Sequence, residues 1–185
     1  RSSDLEYIQE FINEAGMNCI TALKSLKRGP TEKMDAVDWM ARNVEFVSPA
    51  IFLKFMEQCK EALGKGQEDY NYKCMYVNAH SSEVYFNLRK LIVDAMDPRK
   101  NAELKRYLTQ YLKCLEILIL NPYNLEKAIE SKLQSHLLAL ASEEFNDDEE
   151  QSLVAESCLC IILPTHKLIQ EALQNPAFIR FLANC

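Results

Sequence analysis

The side chains with chemistry to offer are the cysteines, the histidines and one acidic run. A nucleophilic cysteine needs a base beside it, and the sequence offers two candidate pairs, Cys160 with His166 and Cys74 with His80, each six residues apart across an expected turn. These cysteines lie in apolar helical stripes, where burial raises a thiol's pKa rather than lowering it, so core packing is the better reading. No Cys-x-x-Cys pair occurs, and His80, His136 and His166 are far apart in the chain, which argues against a zinc site. Asp147, Asp148, Glu149 and Glu150 are consecutive, so their carboxylates point in different directions. They also lack the spaced ligands and the glycine of a calcium loop. Gly64-Lys65-Gly66 lacks the spacing and the Ser or Thr of a phosphate loop. The expectation is a chain that is not an enzyme and needs no cofactor or metal.

Bulk properties narrow the class further. The formal charge of -6 over 185 residues disfavours wholesale binding to nucleic acid, which needs concentrated Lys and Arg. The 7 cysteines are an odd number, and no cleavable signal sequence opens the chain, so reduced thiols in a cytosolic or nuclear setting are expected. The longest apolar runs, Leu115 to Leu120 and Cys158 to Leu163, are far shorter than the roughly 18 residues of a bilayer span, so no membrane insertion is expected. Only 4 glycines and 6 prolines are available for turns, which favours helices over a strand-rich fold.

The elements that would position these residues follow from apolar spacing and its interruptions. Leu5, Ile8, Phe11 and Ile12 make one helical stripe, and Met17, Ile20, Leu23 and Leu26 make a second, with a sharp turn expected at Gly16. Arg28-Gly29-Pro30 closes this segment. Pro49 divides Thr31 to Leu63 into two helices, and the polar stretch from Gly64 to Asn71 reads as an exposed loop. Tyr72 to Asn78 and Glu83 to Met96 read as helical, as does Glu103 to Leu120. This last helix is apolar on nearly two faces and is expected to be central. Short helices over Tyr123 to Ile129 and Leu133 to Ala141 follow, then one from about Asp148 to Leu163 capped by Asn146 or Asp147, then His166 to Leu173. Asn175-Pro176 opens the last helix.

Two of these segments echo one another. CLEILILNPYNLEKAI from Cys114 and CLCIILPTHKLIQEAL from Cys158 both carry a buried apolar helix to a proline and continue in a shorter amphipathic helix, with their cysteines 44 residues apart. A weaker echo begins at Lys73-Cys74, matching Lys113-Cys114. Periods of about 40 to 47 built from two or three helices are those of armadillo and HEAT arrays. The expected fold is therefore all-α, an armadillo/HEAT-like helical repeat array forming a short right-handed solenoid.

Cys114-Leu115 with Asn121, then Cys158-Leu159-Cys160-Ile161-Ile162-Leu163-Pro164, then Arg180-Phe181, resembles in order the armadillo region of diaphanous-type formins, their GTPase-binding and inhibitory domain. Tyr7 to Leu26 is similar to that family's first armadillo element, although Lys27 to Glu103 stands where the family has a short connection. The resemblance implies an N-terminal helical part over residues 1–100 that faces a GTPase, and armadillo-like repeats over 101–185. It implies two partners: a GTP-loaded Rho-family small GTPase, and an autoregulatory helix of the same or a related protein. It also implies a cytoplasmic, cytoskeleton-associated setting. Carried over by motif, the groove receiving that helix would be lined by Ile117, Asn121, Ala155, Cys158 and Ile162. A generic scaffold of the same fold, binding a linear peptide of another partner, is the alternative.

Overall fold

Apolar residues at helical spacing and helix-stopping residues between them produce a chain of helices in the computed structural model, which describes residues 2–25, 36–66, 71–100, 102–142, 146–163 and 174–184. These are α1 (Ser2–Lys24), α2 (Ala36–Asn43), α3 (Pro49–Lys65), α4 (Tyr72–Met96), α5 (Ala102–Arg106), α6 (Leu108–Leu118), α7 (Pro122–Glu130), α8 (Leu133–Ala141), α9 (Glu149–Ile162) and α10 (Pro176–Asn184). The described residues contain no strand, and no helix among them is long and apolar enough to cross a membrane. The expected helix over His166 to Leu173 lies outside the described residues, as do Arg28-Gly29-Pro30.

Pro49 and Pro122 stand at helix boundaries as expected, whereas the cap of α9 is Asp148 in place of Asn146 or Asp147. Pro49 and Pro122 open α3 and α7, where a missing N–H costs nothing. Gly66 ends α3 at φ +69°, a left-handed conformation that suits glycine, and its N–H bonds to the Ala62 carbonyl. Asp148 caps α9, its side chain accepting from Gln151 N at 3.0 Å. Asn146 acts differently, donating to Leu140 O and to Gln151 Oε1 and so tying the loop to α8 and α9.

Three further expectations are corrected. Gly16 makes no turn, and α1 runs through it without a break. The glycine is there for contact, because a Cβ at that position would stand 2.9 Å from Val47 Cγ2 and 3.0 Å from Ile51 Cγ2. Ser81 and Ser82 do not divide α4, since the Ser81 hydroxyl bonds back to Asn78 O at 3.1 Å and stays inside the helix. Conversely, the expected helix over Glu103 to Leu120 is two helices, α5 and α6. Tyr107 N donates to Leu104 O in a tight turn, and none of the α5 side chains is buried to hold the two in line.

The packing falls into two rows. α1 packs on α3, α3 on α6 and α6 on α9, while α2 packs on α4 and α4 on α7, and α8 lies mainly against α9. Cross-links between elements give the directions. Gln9 Nε2 donates to Phe46 O and Asn13 Oδ1 accepts from Ser48 N, and Gly16 then meets Ile51, so α3 runs the same way as α1. Asp38 meets His80 at 3.1 Å and Ala41 O accepts from Asn87 at 2.7 Å, so α4 follows α2. Asn78 bonds to Asn121 and Ser81 to Asn124, so α7 follows α4. Thr109 meets Gln151, and Leu112 O accepts from Cys158 Sγ at 3.6 Å, so α9 follows α6. In each of these hydrogen-bonded or ion pairs the partners are 35 to 46 residues apart.

α6 is central, as its two apolar faces require: Leu108, Tyr111, Leu112, Cys114, Leu115, Ile117 and Leu118 are all buried, and it touches α3, α4, α5 and α9. One hydrophobic core extends from Cys19 to Phe181, and it crosses residue 100 without interruption through α3, α4 and α6. A division at residue 100 is therefore no division of the core. The 44-residue echo is spatial as well, since Cys114 on α6 and Cys158 on α9 belong to neighbouring helices of one row. The echo at Cys74 is not, because Cys74 opens α4 in the other row.

Candidate functional site

The five residues expected to line a partner groove are inside the protein. Ile117 is 7% exposed, Asn121 2%, and Ala155, Cys158 and Ile162 are at 0%. The small residues of α9 serve close helix packing rather than an opening. Ala155 and Cys158 face the core shared with α6, where Cys158 Sγ lies 3.6 Å from Leu112 O. A partner cannot touch these side chains in this arrangement, so the expected groove is replaced by a helix interface.

Asn121 has a structural role that its sequence position only half announces. Its Oδ1 accepts from Tyr123 N at 2.9 Å and from Asn124 N at 3.1 Å, capping α7. Its Nδ2 donates to Asn78 Oδ1 at 2.8 Å. Asn78 in turn donates to Ala62 O of α3 and Cys74 O, both at 2.8 Å. Three residues further along both helices, Asn124 Nδ2 donates to Ser81 Oγ at 3.1 Å and to Leu118 O at 3.0 Å. Four buried polar residues thus join α3, α4, the end of α6 and α7. The Asn124 Oδ1 is left without a partner. Sequence reasoning missed Asn78, Ser81 and Asn124. The available signal was a repeated pair of polar residues three apart, Asn78 with Ser81 and Asn121 with Asn124, 43 residues apart in otherwise apolar helices.

This network pins α7 along α4, and beyond it the two helices frame an open groove of about 550 Å³. Its rim carries two exposed aromatic rings, Phe86 at 58% and Tyr123 at 52%. A cation sits over each: Arg89 is 5.8 Å from the Phe86 centroid and Lys127 Nζ 5.3 Å from that of Tyr123. Lys127 is also paired with Glu130 at 3.2 Å. Tyr85 lies in the floor at 3% exposure, and its hydroxyl has no hydrogen-bond partner. Burial pushes the Tyr85 phenol up, offset in part by Ser131 and Arg89, which stand close by. The Ser131 hydroxyl donates to Ala128 O at 3.1 Å. A second apolar surface is the start of α1, where Leu5, Tyr7, Ile8 and Phe11 are all more than half exposed and only Ile12 of that stripe packs on the core.

Among the residues considered for catalysis, Cys160 on α9 is exposed, contrary to the expectation of core packing. His80 Nδ1 faces Asp38 Oδ1 at 3.1 Å and its ring lies against Tyr76, while Cys74 is 6% exposed. Burial pushes the thiol of Cys59 up to about 12 and that of Cys19 to about 11, and it raises those of Cys114 and Cys158 well above the usual range. None of the described cysteines is disulfide-bonded. In the acidic run, Asp148 caps α9 and Glu150 pairs with Lys113 at 2.7 Å. Lys65 pairs with Glu61 at 3.1 Å, and His166 lies outside the described residues. Among the described residues no three His, Cys, Asp or Glu side chains converge on one point.

In comparison with known proteins, no family model, no curated protein and no solved structure matches this chain.

Proposed function

We propose that this chain is a non-catalytic regulatory interaction module, an armadillo/HEAT-like array with the role of a formin inhibitory domain. The observation that carries the interaction-module reading is the same-direction packing of four helix pairs, α1 with α3, α2 with α4, α4 with α7 and α6 with α9, through partners 35 to 46 residues apart. Such same-direction pairing at a spacing of about 40 residues is what a repeat array would produce. What such an array offers to other molecules is extended surface rather than a reaction centre. The order of the motifs at Cys114, Cys158 and Arg180-Phe181 supplies the formin reading, with a GTP-loaded Rho-family GTPase and an autoregulatory helix as partners at the cytoskeleton. Competition between the two would require only that each favours a different state of the array.

The test is retention of the purified chain on immobilised Rho-family GTPases loaded with a non-hydrolysable GTP analogue or with GDP. Retention on the GTP form alone is expected. Equal retention on both forms, or none on either, overturns the GTPase reading. The alternative, a scaffold for a linear peptide, is favoured by one feature, the open α4–α7 groove with its exposed rings.

A further inference from the structure

The groove between α4 and α7 contains the start of a recognition site whose polar groups are left unanswered. Arg89 has no ion pair among the described residues, and its guanidinium stacks over Phe86, so it is held at the rim rather than waving in solvent. Lys127, by contrast, is already paired with Glu130. Below them the Tyr85 hydroxyl is buried with no partner, a state that costs free energy unless something answers it. A carboxylate meets both demands: it can take two parallel hydrogen bonds from a guanidinium and a third from a phenol. The rings of Phe86 and Tyr123 beside it offer apolar contact. Glu83 sits at the other end of the groove, six residues and roughly 9 Å along α4 from Arg89, about a Debye length away, so it does not cancel the cation and favours a basic or neutral group at that end.

We propose that the α4–α7 groove binds an acidic peptide segment, with a Glu or Asp carboxylate on Arg89 and Tyr85 and an adjoining leucine or aromatic side chain between Phe86 and Tyr123. This site does not depend on the GTPase reading and can fail or succeed independently of it.

The experiment uses the full chain and a fluorescein-labelled, end-blocked amphipathic peptide of about 14 residues with Leu at i, i+3, i+4 and i+7 and Glu elsewhere, followed by fluorescence anisotropy. Companion peptides carry Gln or Lys in place of Glu. The Glu peptide is expected to bind at least about tenfold tighter than the Gln peptide, and Arg89→Gln is expected to remove that margin. Tyr85→Phe should weaken binding several-fold while leaving the melting temperature unchanged or about 2–4 °C higher, because a merely structural tyrosine would not weaken binding as stability rises. Absence of binding by all three peptides overturns the proposal, as does equal binding of the Glu and Gln peptides or a preference for Lys. Displacement by inorganic phosphate overturns it in favour of a general anion site. Self-association of the chain that Arg89→Gln abolishes, seen by sedimentation, overturns it in favour of a second copy.

Discussion

If the buried asparagines hold the two rows together, removing Asn121 should cost more than a helix cap. Asn121→Ala deletes the acceptor of two backbone N–H groups at the start of α7, worth about 1 kcal/mol. It also strands Asn78 Oδ1, on a residue 4% exposed, for about 1–3 kcal/mol more. The sum is about 2–4 kcal/mol, or a fall in melting temperature of roughly 5–15 °C for a chain of this length. Asn121→Ser separates the parts, because a serine hydroxyl can cap α7 but is too short to reach Asn78. It should recover about 1 kcal/mol of the loss.

The assay is equilibrium urea unfolding followed by circular dichroism and by the fluorescence of Trp39, with Asn78→Ala and the double variant completing a cycle. Losing both partners removes the stranded acceptor, so the double variant should be about 1–2 kcal/mol more stable than the sum of the singles implies. Additivity within about 0.5 kcal/mol would refute the reasoning, because α4 and α7 would then be held by apolar contact alone.

Two glycines make opposite predictions. Gly16→Ala gains up to about 1 kcal/mol in helix propensity but forces a methyl against Val47 and Ile51, an overpacking cost of about 1–3 kcal/mol, so thermal melting should show a net loss. Gly64→Ala, in α3 with nothing within 4 Å of the added methyl, should raise stability by about 0.5–1 kcal/mol. Alkaline pH should destabilise the chain. The folded-state pKa values of Cys59, Cys114 and Cys158 lie above the ordinary 9.0, so the stability these thiols protect is intact below pH 9 and is lost as pH rises through it toward the folded values. At pH 10 each of these, and Cys19 with its pKa of about 11, would cost about 1.4 kcal/mol, about 5–6 kcal/mol together, and Cys158→Ala should remove about a quarter of that pH dependence in urea titrations.

How much of the fold was legible depended on what sets each boundary. Pro49, Pro122 and Pro176 mark helix starts because proline acts locally, through its ring and its missing N–H. The central place of α6 was legible for a similar reason, since a helix apolar on two faces can only be covered from two sides. Gly16 and the gap left between Asn78 and Glu83 misled because local tendency was overridden from outside. α3 presses on Gly16, and the buried hydroxyl of Ser81 is satisfied by its own helix and by Asn124, so both positions continue helices that propensity would have ended. The break at Tyr107 was missed for the opposite reason, since apolar spacing continues across it and the turn shows only in the bond from Tyr107 N to Leu104 O.

The site residues show the same division between local and distant causes. Asn121 was expected in a partner groove and instead caps α7, a role consistent with the proline that follows it. Its second bond, to Asn78, could not be read from the sequence, because a side-chain amide near a proline carries no mark of a partner 43 residues away. Ala155, Cys158 and Ile162 were carried over by motif, and a motif does not say which face of a helix the rest of the chain covers. Small residues let two helices of the same chain close on each other, and with α6 already beside α9 the nearer neighbour takes the space. The asparagine network therefore shifts attention from the interior to the surface that it holds in place. By fixing α7 on α4 it sets the spacing between Phe86 and Tyr123, and a groove whose width is fixed by buried hydrogen bonds can select a ligand by shape as well as by charge.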